Sequence, residues 1–354
     1  MTPIANRVNI HFENKLAGQN FSGGNFDFIY FLLNDNQIPL YSEVNFEKSY
    51  LSFLNELGFK TEFTNTADSI QDWWVEDETS DKTKKLNSKT FLIKYLNEKD
   101  IFKSESYIAY NEDEFKSCDP SFDLVREEFS VSGRGTFFKA DKVPNKFPVI
   151  LTKHKNRICD IGVRVRNGAA QVYFNLVDNK FCFRGQLFDR KDLFKQKYSH
   201  LFNELDLATN KLIGHIRKDF QVDDFQFDSF IYEENGEHKL EFAHEINYRR
   251  SMGDTYFALN AKGLVDKDNA LLLYLMFPKA MSFSESLTKL KTEIENRQIL
   301  LLSPLSKGLN LFFLQAENSN QNSTNLDRLY RELGLERKAV YNDIVKKIKD
   351  LSYR

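Results

Sequence analysis

Glu245, Asn247 and Arg249 occupy alternate positions in the stretch Glu245-Ile246-Asn247-Tyr248-Arg249, which runs on into Ser251-Met252-Gly253. On a β-strand successive side chains point to opposite faces, so these three share one face. A carboxylate and an amide side by side offer hard oxygen ligands of the kind Mg²⁺ takes. A guanidinium two residues on offers a planar fork that pairs with phosphate oxygens. Together they are what a site for Mg²⁺ and a nucleoside triphosphate needs. A half-buried strand with a merely polar outer face would show the same alternation, so the neighbouring features have to decide.

Two features bear on it. The run Phe129-Ser130-Val131-Ser132-Gly133-Arg134-Gly135-Thr136 follows a strand-like Leu124-Val125-Arg126. Gly133 and Gly135 allow a tight turn and close approach of backbone to a phosphate. Successive amides in such a turn form an anion nest, Ser130 and Ser132 add hydroxyls, and Arg134 adds charge. Glycine-rich hairpins are common, so this loop alone is weak. The second feature is Asp228, which precedes Glu245 by 245 − 228 = 17 residues. Asn235-Gly236 between them is a good hairpin turn. If the register allows, the hairpin sets Asp228 beside Glu245. Two carboxylates and an amide can bridge one or two Mg²⁺ ions on a triphosphate.

These residues resemble a known family. A Ser-x-Ser-Gly-Arg-Gly loop after a strand, an Asp-bearing strand, and then Glu-Ile-Asn-x-Arg-x-x-Met-Gly looks like the ATP-grasp superfamily, most of all its bacterial carboxylate–amine ligase-like members. Leu86-Asn87-Ser88-Lys89-Thr90-Phe91 is similar to the segment that opens the grasp region in those proteins. The resemblance covers roughly residues 70–310, and the 245–253 motif is its specific part.

The resemblance implies a mixed α+β and α/β architecture. An N-terminal α/β pre-grasp domain (1–90) would precede a small lobe (91–155) and a large lobe (156–317) that enclose ATP, with a linker and C-terminal helices over 318–354. It implies that Asp228, Glu245 and Asn247 bind Mg²⁺. The loop of Ser130, Ser132, Gly133, Arg134 and Gly135 would close over the phosphates. Arg249, with Arg134, would contact phosphate or an acyl phosphate. The implied reaction activates a carboxylate as acyl phosphate and lets an amine attack it, on amino-acid or peptide substrates. A precursor peptide, a partner protein or a second copy would be compatible partners.

Two positions depart from the family. Arg126-Glu127-Glu128 stands where similar proteins usually carry Lys, and Thr152, in Val149–Lys153, stands where an acidic residue often binds the ribose. Arg126 and Thr152 are therefore the expected but altered nucleotide contacts. They motivate an alternative, a nucleotide-binding regulatory module of low turnover, although the intact metal cluster argues against a dead enzyme. Arg164, Arg166, Arg184 and Arg250 are further candidates for an anionic substrate. A third reading, nucleic-acid association through the C-terminal helices, rests on Lys338, Lys346, Lys347 and Lys349.

The elements that must position these groups follow from pattern. Val8–Phe12 is expected as a first strand, and Glu47–Leu57 as a helix closed by Gly58. A strand is expected at Lys60–Phe63, and these short alternating elements predict an α/β unit. Glu76–Lys85 is highly charged and reads as a loop, with a helix over Ser88–Leu96 capped by Asn87 or Ser88. Strands are expected at 124–126, 147–152, 159–166, 172–176 and 181–183, with turns at Asn167-Gly168 and Asp178-Asn179. Lys191–Phe220 reads as helix, and Phe225–Glu233 and His238–Asn247 as the hairpin. Asp268–Met276 reads as a buried helix and Asn318–Asn325 as a linker. Leu326–Leu351 is amphipathic, with Val340, Ile344, Ile348 and Leu351 on one face.

Composition bounds the rest. The chain has 354 residues and a formal charge of −2, without the basic excess of a dominant nucleic-acid footprint. Its 33 Phe point to ordinary core packing. Cys118, Cys159 and Cys182 show no metal spacing, and the His residues form no HExxH pattern, so a reducing compartment is expected and a zinc site is not. The longest apolar run, Ala270–Phe277, is too short to span a membrane. A soluble, cytoplasmic protein is expected.

Overall fold

The computed structural model of the chain describes residues 4–9, 12, 26–34, 38–75, 77–130, 135–178, 183–188, 196–265, 269–277, 280–305, 308–316, 319–334 and 346. Their strands gather into three sheets.

The first sheet is built from β1 (Ile4–Arg7), α1 (Ile29–Leu33), β2 (Leu40–Tyr41), α2 (Lys48–Glu56), β3 (Phe63–Thr64) and β4 (Ser69–Asp72). Its order is β3-β2-β1-β4 and every pairing is parallel, the α/β unit expected for this region. Gly58 follows α2 at φ +83°, a conformation that glycine adopts without strain. The first strand lies earlier than Val8–Phe12. Asn9 explains this, because its Oδ1 accepts the backbone N–H groups of Trp74 (2.9 Å) and Val75 (3.1 Å) instead of continuing the ladder. The charged segment after β4 becomes α3 (Asp81–Asn87) rather than loop throughout. Ser80 caps it by accepting Thr83 N–H at 3.1 Å, with Asp81 in the first turn and Lys84 and Lys85 in the last. Helix α4 (Lys89–Glu98) follows, with Ser88 as its N-cap as expected.

The second sheet comprises β5 (Ser106–Ala109), β6 (Leu124–Glu127), β7 (Thr136–Phe138) and β8 (Val149–Thr152), with α5 (Glu112–Ser117) against it. It is antiparallel, in the order β5-β8-β6-β7. Sequence pattern anticipates β6 and β8 but misses β5 and β7. This sheet has a small core of its own, Ala109, Phe115, Val125, Val149 and Leu151.

The third sheet carries eight antiparallel strands. In chain order these are β9 (Asn156–Arg166), β10 (Ala169–Val177), β11 (Phe183–Phe188), β12 (Phe225–Glu234), β13 (Glu237–Asn247), β14 (Asn269–Phe277), β15 (Ile299–Leu301) and β16 (Gly308–Ala316). Helices α6 (Ser199–Phe220), α7 (Asp254–Ala261), α8 (Phe283–Lys289), α9 (Lys291–Glu295) and α10 (Ser319–Glu332) connect and cover them. Two expectations fail here. From residue 269 the run read as 268–276 is a central strand, β14, hydrogen-bonded to β11 and β16 and not a helix. A strand buried on both faces is apolar all round, just as a buried helix is. From Ser319 the polar run opens α10, whose Leu326 and Leu329 are buried at helical spacing. Val340, Ile344, Ile348 and Leu351 lie outside the described residues, as does Cys182.

The first and third sheets share one apolar core. Tyr50 joins them, its hydroxyl donating to Leu302 O at 2.9 Å and its ring packing edge-on to Phe283. No helix among the described residues is long and apolar enough to cross a membrane.

Candidate functional site

The β12–β13 hairpin sets the site. Asn235 and Gly236 both adopt positive φ, +54° and +79°, the turn that matches strand twist. From that turn the register runs regularly to Phe230↔Glu241, and continuing it would put Asp228 opposite Ala243. A bulge intervenes, with Ala243 at φ +44° and its N–H donating to Ser229 Oγ at 2.9 Å. The register advances by two residues, so Asp228 faces Glu245 and Gln226 faces Asn247. An advance of two keeps the side chains on their faces.

Two amide N–H groups hold the Asp228 carboxylate. Asp228 Oδ1 accepts from Asn175 Nδ2 and Oδ2 from Asn247 Nδ2, both at 2.9 Å. Asn247 Oδ1 accepts from Arg249 Nη2 at 2.7 Å and keeps a second lone pair. Burial, reinforced by the charge of Glu245, pushes the Asp228 carboxyl up to about 7. Two like charges held together in a partly dry site need a cation.

A cation fits the donors present. Gln186 Oε1 and Gln226 Oε1 line the same cleft and are buried without a hydrogen-bond partner among the described residues. Among the described residues no three His, Cys, Asp or Glu converge on one point. The donor set is instead two carboxylates with amide oxygens. Mg²⁺ bound with a nucleotide takes such a set, because phosphate oxygens and water complete its shell.

Basic groups face the carboxylates. Lys89 is buried at the start of α4, with Nζ 3.2 Å from Ser130 Oγ and 3.5 Å from Glu245 Oε2. Arg126, on β6, donates to His244 O at 2.7 Å and lies 3.9 Å from Glu245. Burial pulls its guanidinium down to about 10, still charged at neutral pH. Glu128 anchors this corner by accepting from Ser88 Oγ (2.5 Å) and Thr90 Oγ1 (2.6 Å), which ties the strand before the glycine loop to α4.

Of the loop itself, Ser130 and Gly135 are described, and Ser132, Gly133 and Arg134 lie outside the described residues. Ser130 is buried. A Cβ at Gly135 would lie 2.5 Å from Ser130 Cβ and 3.0 Å from Glu127 Cβ, so only glycine closes this loop. Asp228, Glu245, Asn247, Arg249, Arg126 and Ser130 together line one cleft of about 180 Å³.

Thr152 lies apart from that cluster, on β8 opposite Ser106 and Leu124. It lines a narrow continuation of about 20 Å³, walled by Phe230, Glu241 and His244. Lys155 and Glu241 form an ion pair at 2.6 Å there, and the Arg157 guanidinium stacks 4.0 Å over Phe230. Of the other basic candidates, Arg164 and Arg166 clamp Asp254, at 2.5 and 2.8 Å, and Arg184 pairs with Asp178. They hold the start of α7 and the end of β10, and Arg166 lines one cavity with Arg249 and Arg250.

Sequence reasoning missed Lys89 and His244. A Lys in the first turn of a helix opposes the helix dipole, which was a legible signal. His244 stands where the two parts of the cleft meet, and burial holds it well below the usual range, so it is neutral. Its Nδ1 has no partner among the described residues, and its signal was hidden by the bulge.

A scan of protein-family models finds no match to this chain, and a search of curated sequences finds none. Solved structures do match. N5-carboxyaminoimidazole synthetase from Staphylococcus aureus, complexed with ADP, aligns with a TM-score of 0.52 at 11% identity, over 93% of this chain and 97% of that one. Phosphoribosylamine–glycine ligase from Thermotoga maritima gives 0.51 at 10% identity, over 93% and 96%. Biotin carboxylase from Campylobacter jejuni, in an ATP complex, gives 0.52 at 10% identity, over 99% and 95%. At such identities the likeness is one of fold.

Proposed function

We propose that this chain, which has the ATP-grasp fold, is an ATP- and Mg²⁺-dependent ligase that joins a carboxylate to an amine. One observation carries the reading. Asp228 and Glu245 face each other across adjacent strands, with Asn247 and Arg249 beside them and the buried cations Lys89 and Arg126 reaching Glu245. Mg²⁺-bound ATP would supply the phosphoryl group that turns a carboxylate into an acyl phosphate, from which an attacking amine displaces phosphate.

In this reading Asp228, Glu245 and Asn247 hold Mg²⁺. Lys89, Arg126 and Ser130 meet phosphate oxygens, and the resemblance adds Ser132, Gly133, Arg134 and Gly135 to that group. Thr152 offers a hydroxyl to the sugar. Arg249, already fixed by Asn247, aligns the carboxylate for in-line attack. The work is positioning and charge neutralisation. Residues 91–155 act as the small lobe; its sheet packs on a core of its own and would move as a unit over the large lobe (156–317), while Leu92, Tyr95 and Leu96 of α4 pack in the main core. The similar structures include a synthetase and a ligase, which agrees with the class.

The test is the melting temperature of the full chain with and without Mg-ATP. A ligand that binds only the folded state raises it, by about 2.7 kcal/mol of stability at a hundred times Kd. The wild type should shift and Glu245→Ala should not. An equal shift in both would overturn the assignment. Release of ADP and phosphate should then require both a carboxylate and an amine.

A second reading, a nucleotide-binding module with little turnover, is favoured by the narrow end of the cleft. Lys155, Glu241 and Arg157 fill the space beside Thr152 where a nucleoside would lie. It predicts a thermal shift with no turnover stimulated by any carboxylate and amine pair, and sustained stimulated turnover eliminates it.

A further inference from the structure

A chain of hydrogen bonds crosses the floor of the cleft from Arg249 to Gln186. Arg249 Nη2 donates to Asn247 Oδ1 at 2.7 Å, and Asn247 Nδ2 donates to Asp228 Oδ2 at 2.9 Å. On the other side of the carboxylate, Asn175 Nδ2 donates to Asp228 Oδ1 at 2.9 Å, and Gln186 Nε2 donates to Asn175 Oδ1 at 3.5 Å. The register of β10 and β11 sets Asn175 opposite Gln186, so the last link is a cross-strand pair.

The chemistry of the members fixes the direction of every amide. A guanidinium has no acceptor, so Asn247 must turn its oxygen to Arg249 and its NH₂ to Asp228. Asp228, ionised when it holds the metal, has no donor, so Asn175 must turn its NH₂ to the carboxylate and its oxygen to Gln186. Gln186 then gives its NH₂ to Asn175 and is left with its carbonyl oxygen. Gln186 is 1% exposed and lines the cleft, and its Oε1 has no partner among the described residues. The chain thus begins at a guanidinium, which takes anions, and ends at a bare acceptor, which takes an N–H.

We propose that Gln186 Oε1 orients the attacking amine by accepting one of its N–H groups, and that this substrate is a primary amine on an apolar body. The proposal rests on the ligase reading above and deepens it by assigning the residue that holds the nucleophile and the kind of amine it takes.

The surroundings agree. Val177 and Phe183 pair with each other next to Asn175 and Gln186, and both line the cleft, where an apolar body packs. Gly253 stands over the same amide. A Cβ at 253 would come within 3.2 Å of Gln186 Nε2 and 2.8 Å of Tyr173 Oη, so glycine keeps this part of the cleft clear. A buried acceptor left unmet costs free energy that an incoming N–H recovers. In the step itself the nitrogen lone pair forms the C–N bond. The C–O bond to phosphate breaks with its electrons going to phosphate, and one proton of the nitrogen leaves on that phosphate. A primary amine has one N–H to release and one to be held. The held N–H becomes a stronger donor as the nitrogen gains positive charge, so the contact with Gln186 tightens toward the transition state.

The test uses the full chain saturated with Mg-ADP. It measures the further rise in melting temperature with n-butylamine and benzylamine, against their N,N,N-trimethyl forms, which keep the positive charge and the apolar body but have no N–H. The primary amines are expected to bind, and quaternisation to weaken them about tenfold, as loss of one charge-assisted hydrogen bond implies. Gln186→Leu should bind both kinds alike, with its affinity for Mg-ADP and its Mg²⁺ requirement as in the wild type. Quaternised probes that bind the wild type as tightly as the amines would overturn the proposal, and that control stands even where the variant folds poorly. A preference for the amines that persists in Gln186→Leu would trace to bulk and also overturn it. So would a wild type that binds Mg-ADP and no amine. A Gln186→Leu chain that needs more Mg²⁺ to bind ADP would put Oε1 on the metal instead. A wild type without an Mg-ADP shift would remove the ligase reading, and this proposal with it.

Discussion

Replacing Lys89 with Met separates a nucleotide contact from a structural one. At 3.5 Å from Glu245, with an effective dielectric near 20, the attraction is roughly 5 kcal/mol. Taking an ammonium out of water costs several kcal/mol, and Lys89 is 3% exposed. A Lys in the first helical turn costs up to about 1 kcal/mol more. These terms nearly cancel, so Lys89 adds little to folding, and an unbranched apolar replacement should leave stability within about 1 kcal/mol. Phosphate recognition does not cancel, because a buried Lys loses its best anionic partner along with the nucleotide. Lys89→Met should therefore weaken Mg-ADP binding about ten- to a hundredfold, equivalent to roughly 1.4–3 kcal/mol. Calorimetric titration measures the affinity and urea unfolding the stability. Unchanged affinity with a stability loss above about 3 kcal/mol would refute the reasoning and make Lys89 a structural ion-pair partner.

Four other perturbations test the structure. Burial, opposed by Ser42 and helped by Glu43, raises the Asp27 carboxyl from 3.8 to about 6. The folded chain then holds a proton that the unfolded chain releases, so Asp27 lowers stability as pH rises from about 4 to 6, by at most about 3 kcal/mol. Asp27→Asn should flatten that part of the stability–pH curve, and an unaltered slope counts against it. Gly135→Ala must displace Ser130 or Glu127, and a loss of about 1–3 kcal/mol with weaker nucleotide binding is expected by denaturation and calorimetry. Arg249→Lys loses the fork fixed by Asn247, so turnover should fall at least tenfold with the Mg-ADP affinity little changed. Removing Mg²⁺ with EDTA should weaken ADP at least tenfold, and equal affinity without metal would disqualify the carboxylate pair as its site.

Much of the site was legible because its elements obey local rules. Asn235-Gly236 dictates the hairpin, the alternation of Glu245, Asn247 and Arg249 dictates their shared face, and Ser88 caps α4. What escaped depends on long-range structure. Simple counting from the turn pairs Asp228 with Ala243, and only the bulge at Ala243 brings it to Glu245. Strand β14 was read as helix because Ala270–Leu273 is buried on every side, and burial of that kind erases the two-residue period. Asn318–Asn325 looked like a linker because polarity was counted and the buried Leu326 and Leu329 that extend its helix were not. Arg164 and Arg166 looked like substrate groups because their partner, Asp254, is some ninety residues away in sequence, at 2.5 and 2.8 Å in space.

The two signs of charge in this cleft come from different elements. Asp228, Glu245 and Asn247 stand on the eight-stranded sheet within the main core. Arg126 stands on the sheet with its own small core. Lys89 opens α4, whose Leu92, Tyr95 and Leu96 belong to the main core and which Glu128 staples to the small sheet. Their meeting distances, 3.5 and 3.9 Å, are longer than the 2.7–2.9 Å of a good charge-assisted hydrogen bond. Such loose pairs are easily exchanged. A metal ion drawing Glu245 away would leave Lys89 and Arg126 as buried cations, and phosphate oxygens would satisfy both. Phosphate arriving alone would satisfy the cations and leave two carboxylates facing each other, with Asp228 already pushed up to about 7. Neither partner would be well accommodated without the other, so under the proposed assignment the arrangement would select the metal–nucleotide complex as a unit, and the proposed small lobe would settle over it only when both are present.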